Sequence, residues 1–205
     1  MTTPADLPIL RSARVVLRQP VPADVQARIA VPRDPEELRM YGSPGEAKTF
    51  TPAEVTSHFV DLYEHQDLTV TRRFVIAALA WPDGTPVTEA DGRFIGHLRL
   101  HRINWQDRNA ALAIGIFDRR FWSHGYGSEA IRLLLGYAFD TLSLHRVGLR
   151  VLEYNARAIR AYEKCGFVRE GIERESKQVD GRWYSDVMMS ILASELKALS
   201  TGWTG

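Results

Sequence analysis

Gly125 and Gly127 stand two residues apart, directly before a run of apolar residues at helical spacing. Ile131, Leu134, Leu135, Ala138 and Phe139 fall at i, i+3, i+4, i+7 and i+8, one face of an amphipathic helix. Glycine at a helix start lets backbone N–H groups approach a ligand, because no Cβ stands in the way. The first N–H groups of a helix lack intrahelical partners, and the helix dipole makes that end positive. Together these features read as a cradle for phosphate, with Arg119, Arg120 and His124 adding positive charge or donors close by. The alternative use of the same residues is a plain turn, with Ser128 capping the helix.

Gly125-Tyr126-Gly127-Ser128-Glu129-Ala130 formally fits G-x-G-x-x-A, the dinucleotide fingerprint. In that fingerprint the first glycine follows its strand almost directly, whereas here residues 118–124 form a polar and aromatic loop. The acidic residue nearest the expected ribose position, Glu153, comes late. A Walker loop is excluded, since no Gly-Lys-Ser/Thr follows.

The elements that must position this loop follow in order. Residues 13–19 predict a first strand with Val15 and Leu17 on one face, ended by Pro20 and Pro22. A helix from Asp24 breaks between Pro32 and Pro35, and a short helix with Glu36, Leu38, Arg39 and Met40 stops near Gly42. Thr51-Pro52-Ala53-Glu54 predicts a helix start, running to about Gln66 with Val55, Phe59, Leu62 and Tyr63 inward. Strands are predicted at 73–80, 94–103 and 110–117, with a loop at 81–92 and a hairpin turn at 104–109. After the glycine helix come a strand at 145–152 and a helix at 155–165 stopped by Gly166. Strands at 167–171 and 183–192, around a turn at Asp180-Gly181, precede a short helix at 194–199. The fold class is α/β (α+β): a mixed central sheet of about seven strands flanked by helices.

With 205 residues, 45% hydrophobic and 25% charged, the chain suits one domain over 1–205. A net charge of +1 points away from nucleic acid or a membrane surface as partner. The single cysteine, Cys165, excludes an intramolecular disulfide and a multi-cysteine metal site, and fits a cytoplasmic location. MTTPADLPIL carries no signal-peptide pattern, and no apolar run approaches the ~20 residues that span a bilayer.

The loop and a second stretch resemble the GNAT superfamily of N-acetyltransferases. The family's pyrophosphate loop is written Q/R-x-x-G-x-G/A; here it is Trp122-Ser123-His124-Gly125-Tyr126-Gly127, with Trp122 in place of Gln or Arg. The second signature, N-x-x-A-I-x-x-Y-x-K-x-G-F, is complete as Asn155-Ala156-Arg157-Ala158-Ile159-Arg160-Ala161-Tyr162-Glu163-Lys164-Cys165-Gly166-Phe167. Both stand in the family's order with a strand between them. LRSARVVLRQP, FIGHLRL, FWSHGYGSEA and DGRWYSDVMMSIL resemble the RimJ/RimL-type branch, so the similarity runs from about residue 10 to residue 192.

The resemblance implies acetyl-coenzyme A (acetyl-CoA) as cosubstrate and no metal. The ligand would lie where two parallel strands, 110–117 and 145–152, splay apart. Backbone groups of Ile116 and Phe117 would hold its pantetheine arm. The amides of Ser123, His124, Gly125, Tyr126, Gly127 and Ser128 would hold the pyrophosphate, and Asn155 would touch the arm while capping its helix. Tyr162 would protonate the leaving thiolate: a phenol titrates near ~10 and a thiol near ~8.5. Its other use is a core aromatic.

The family's usual glutamate base falls at Ala113; Asp118, Glu153, His101 and a water chain are the other candidates, and none is assigned. The acceptor would be a primary amine, on a small molecule or a protein N-terminus, entering opposite the cosubstrate. Tyr41, Arg39, Trp183 and Tyr184 are its candidate walls. Attack would be direct, in a ternary complex. The alternative is a catalytically weak acyl-CoA-binding or sensor protein, suggested by Trp122 and Ala113. A homodimer is a further implication of the resemblance.

Overall fold

Strand β3 (Thr71–Ala78) is buried along nearly its whole length, because both of its neighbours and both faces of the sheet cover it. The computed structural model in which it lies describes residues 7–31, 34–43, 51–59, 61 and 66–201. The remaining strands are β1 (Leu10–Arg11), β2 (Val15–Arg18), β4 (Arg93–Asn104), β5 (Asn109–Ile116), β6 (Arg146–Leu152), β7 (Val168–Val179) and β8 (Arg182–Leu192). They form one sheet in the order β1-β2-β3-β4-β5-β6-β8-β7. Only β5 and β6 pair in parallel among the described strands. The mixed sheet is as expected; an eighth strand appears because β1, two residues long, is too short to leave a periodicity.

Side chains alternate across the sheet. On one face Leu98 and Leu100 of β4, Leu112 of β5 and Val147, Leu149 and Val151 of β6 meet helix α4 (Tyr126–Gly136). Leu134 and Leu135 of α4 are fully buried, each contributing about 1.5–3 kcal/mol relative to exposure. Helix α5 (Ala156–Glu163) adds Ile159 and Tyr162 to the same core. On the other face Val16, Val75, Ala77 and Phe94 pack with α1 (Pro22–Ala30) and with Val55 and Phe59 of α3 (Pro52–Phe59). Helix α2 (Pro35–Met40) lies between α1 and α3 in sequence, and α6 (Ala193–Thr201) follows β8. No helix among the described residues is long and apolar enough to cross a membrane.

Several predicted boundaries shift for visible reasons. Helix α1 starts at Pro22, with Asp24 accepting from the Val21 amide at 2.7 Å and from both terminal nitrogens of Arg18. All four β2 residues are buried rather than one face only. Thr51 and Glu54 form the reciprocal cap expected of them, at 2.7 and 3.2 Å. Leu62 and Tyr63 lie outside the described residues. Strand β7 runs to Val179, well past residue 171, because it is almost wholly exposed and shows no apolar alternation. The turn at Asp180 and Gly181 is present, both in the left-handed region with φ of 50° and 77°.

Candidate active site

Strands β5 and β6 are registered only at Asn109–Arg146, Ala110–Val147 and Ala111–Gly148. Beyond these pairs they part, and a cavity of about 920 Å³ runs through the gap. Ile116, Ser123, Gly125, Gly127, Ser128, Asn155 and Tyr162 all line it.

The glycine loop is shaped by backbone geometry. Gly125, not Ser128, precedes the first turn of α4, in the left-handed region at φ 88°. Ser123 is also left-handed, at φ 63°. A Cβ on Gly127 would make only ordinary contacts, 3.8 Å to Ile116 and 3.9 Å to Ile114. The protein's own packing therefore does not require glycine there, whereas close approach of a ligand would. The carboxylate in the helix's first turn, Glu129, is drawn aside by Ser12 at 2.6 Å and by Arg14 at 2.7 Å. Burial acts against its ionisation, but these donors outweigh it and hold Glu129 below the usual carboxylate range.

Three predicted ligand residues, Phe117, His124 and Tyr126, lie outside the cavity lining. Tyr126 is fully buried; its hydroxyl donates to the Ala80 carbonyl at 2.6 Å. Phe117 turns to the far face, against Phe94, His97 and Arg28. The His124 side chain is exposed, and its carbonyl accepts from Arg14 at 3.2 Å.

Two side chains meet the edge of β5 where it leaves β6. The Tyr41 hydroxyl donates to the Ile114 carbonyl. A Cβ at Gly115 would overlap that hydroxyl, so glycine there admits Tyr41. The Trp122 indole donates to the Ile116 carbonyl, and Arg157 lies 3.8 Å over the Trp122 ring. A guanidinium thus stands at the loop's first position even though that position is tryptophan.

Asn155 caps α5, accepting from the Ala158 amide at 3.1 Å, and its side-chain nitrogen donates to the Met40 carbonyl at 3.4 Å. It therefore ties α5 to the end of α2. Tyr162 is buried beside Phe167 with its ring facing the cavity. Burial, then Cys165, pushes its phenol up to about 12, so it is a protonated donor at neutral pH.

The candidate bases separate. Asp118 caps the following turn and pairs with Arg120 at 2.6 Å. Glu153 accepts from the Ser185 amide at 2.9 Å. His101 lines the cavity, but burial and then Arg99 lower it to about 4. Glu37 of α2, buried and lining the cavity, was not singled out from the sequence. Its i,i+4 spacing to Tyr41 was the signal that would have found it. Of the predicted acceptor walls only Tyr41 lines the cavity. Trp183 is exposed, Tyr184 packs edge-on against Tyr154, and the Arg39 carbonyl accepts from Tyr154. Among the described residues no His, Cys, Asp and Glu cluster is arranged to hold a metal.

The family model for an acetyltransferase (GNAT) domain matches residues 14–168. The spermidine N(1)-acetyltransferase of Vibrio cholerae is 32% identical over 145 residues, 70% of this chain and 77% of that protein. YjcK of Bacillus subtilis, named as a probable N-acetyltransferase, is 34% identical over 105 residues, 51% of this chain and 58% of that protein's length. A crystal structure of a spermidine N-acetyltransferase from Vibrio cholerae, in complex with CoA and spermine, shares the fold. Its TM-score is 0.70 at 24% identity, over 91% of this chain and 99% of that one.

Proposed function

The chain belongs to the GNAT acetyltransferase family, and we propose that it moves the acetyl group of acetyl-CoA to a primary amine. The observation that carries this is the parting of β5 from β6 beside the α4 N-terminus, with Tyr162 facing the same cavity. The amides from Ser123 to Ser128 hold the pyrophosphate, at the positive end of α4. Arg132, Arg160 and Lys164 at the cavity wall add charge for the phosphates. The pantetheine arm lies along β5 near Ile116, with Asn155 on its other side. To use the carbonyls of Ile114 and Ile116 it displaces Tyr41 and Trp122.

The acceptor attacks as a neutral amine within a ternary complex. Its nitrogen bonds the acetyl carbon, the carbon–sulfur bond breaks, and Tyr162 gives its proton to the leaving thiolate. Glu37 is the carboxylate placed to receive the proton that the amine loses. We assign the chain to the RimJ/RimL-type branch on its FWSHGYGSEA loop and closing strands, as a single domain with a core from about residue 10 to residue 192. A cytoplasmic location and pairing of two copies through the β7 edge accord with this assignment. The acceptors named for the Vibrio cholerae relatives put polyamines among those to test.

A second function, acyl-CoA binding with little turnover, is favoured by one feature: the Trp122 bond to Ile116 occupies a group the arm would need. Calorimetric titration with acetyl-CoA, followed by an amine panel read through free thiol release, tests both. Binding with thiol release establishes the transferase; binding without release on any amine establishes the sensor.

A further inference from the structure

Arg99 lies in the middle of β4, level with Ala113 of β5 on one side and with Arg73 of β3 on the other. Leu98 and Leu100 point into the core beneath α4, so Arg99 points to the opposite face. It lines the cavity, and its Nε is buried with no hydrogen-bond partner. Two other arginines of the cavity, Arg146 and Arg150, are held by carboxylates. Arg150 is 3.3 Å from Glu173 and 3.7 Å from Asp186, and Arg146 is 2.5 Å from Glu170. Asp186 also accepts from Ser176 at 3.1 Å.

Among the described residues, the strand register leaves no carboxylate beside Arg99. Its flanking residues on this face are His97 and His101 of β4, Thr71 and Val75 of β3, and Ala111 and Gly115 of β5. The two histidines are neutral at pH 7: burial and the nearby arginines lower His97 to about 3 and His101 to about 4. Glu37 of α2 lines the same cavity, and both it and Arg99 act electrostatically on Tyr41, Glu37 raising and Arg99 lowering its phenol pKa.

We propose that the amine acceptor carries a carboxylate, as a free amino acid does, and that Arg99 binds it. The proposal rests on the acetyl-transfer function and names its substrate class. A guanidinium presents a planar fork of donors that matches a carboxylate in two bonds. Arg99 is half-buried, and its buried Nε lacks a partner; an anionic substrate group would supply one. Glu37 receives the amino group, so the two ends of one small zwitterion meet opposite charges. A polyamine, the kind of acceptor named for the spermidine acetyltransferases, brings cations at both ends and meets Arg99 with repulsion. The phosphates of CoA are not the partner of Arg99, because the α4 N-terminus lies on the other face of the sheet.

The test compares free amino acids, the same amino acids as α-amides, and spermidine, by thiol release from acetyl-CoA. Wild type is measured beside R99Q and R99K, and acetyl-CoA affinity is followed by calorimetry in each. Wild type should prefer a free amino acid to its amide by on the order of 10- to 100-fold in kcat/KM, the worth of one charged hydrogen-bonded pair. In R99Q that ratio should fall towards one through KM, with partial recovery in R99K and acetyl-CoA affinity within about twofold of wild type. Preference for spermidine or for the amide in wild type would overturn the proposal without any variant. An unchanged ratio in R99Q would overturn the role of Arg99. Failure of acetyl-CoA to bind, or thiol release on no amine, would overturn the transferase function itself.

Discussion

The Trp122 indole nitrogen donates to the carbonyl of Ile116 across 2.8 Å, reaching from the glycine loop back onto the strand that precedes it. Two residues earlier along the same strand, Tyr41 makes the equivalent bond to Ile114 from the other side. Both carbonyls belong to the stretch of β5 that has already left β6. The protein thus satisfies with its own side chains the backbone groups that the splay exposes.

Trp122→Phe keeps a ring beneath Arg157 and removes only the donor. If the pantetheine arm competes for the Ile116 carbonyl, acetyl-CoA should bind about 2- to 10-fold more tightly, one ordinary hydrogen bond of ~0.5–1.5 kcal/mol being released. Calorimetric titration checks it, and equal or weaker binding means that indole and ligand do not compete.

Tyr162→Phe should lower kcat by ~10²–10⁴ with little change in acetyl-CoA affinity. Because burial holds the Tyr162 phenol at about 12, its donor form persists through the neutral and mildly basic range. The wild-type rate should therefore show no loss from this residue between pH 7 and about pH 10. A variant with wild-type rates across that range would remove Tyr162 from the mechanism.

Gly125→Ala places a Cβ on a residue at φ 88°, at a strain of about 1–2 kcal/mol. The midpoint of urea unfolding should fall accordingly, with an unchanged slope. Gly127→Ala, whose Cβ meets nothing closer than 3.8 Å, should unfold like wild type yet bind acetyl-CoA less well. Equal acetyl-CoA binding in that second variant would show that the ligand does not approach the loop at Gly127.

His97 makes stability depend on pH. It is half-buried with the Phe117 ring edge-on to it, and desolvation, then the charges of Arg73, Arg99, His58 and Arg28, lower it to about 3 against 6.5 for a free imidazole. Between those values the unfolded chain binds more protons, so stability falls as the pH drops from about 6.5 towards 3. The slope from one such group is at most about 1.4 kcal/mol per pH unit. Urea unfolding at pH 7 and pH 5 should show a smaller difference for His97→Gln than for wild type; the same difference in both would assign the slope elsewhere.

The local signals were legible from residue order alone. Glycines at a helix start, an Asn cap and apolar periods of 3.6 located the loop, α4 and α5 within a few residues. Burial of the Tyr126 side chain also follows from spacing, since it stands four residues before Ala130 on the buried side of α4, leaving its amide as the group to face a ligand. The acceptor side was not legible, because it is assembled by register. Arg99 meets Ala113 only through the β4–β5 pairing, and Glu37 and Tyr41 come from a helix distant in sequence. Nothing near Gly115 in sequence reveals that it makes room for Tyr41.

A parallel ladder that stops after three rungs divides the sheet into two plates, β1 to β5 and β6 with β8 and β7, joined along one short seam. A ligand lying in that gap would act as a removable ninth strand, stitching the plates during each catalytic cycle and unstitching them at product release. Amide exchange along residues 112–116 and 149–152 would then follow occupancy of the gap rather than unfolding of the whole chain.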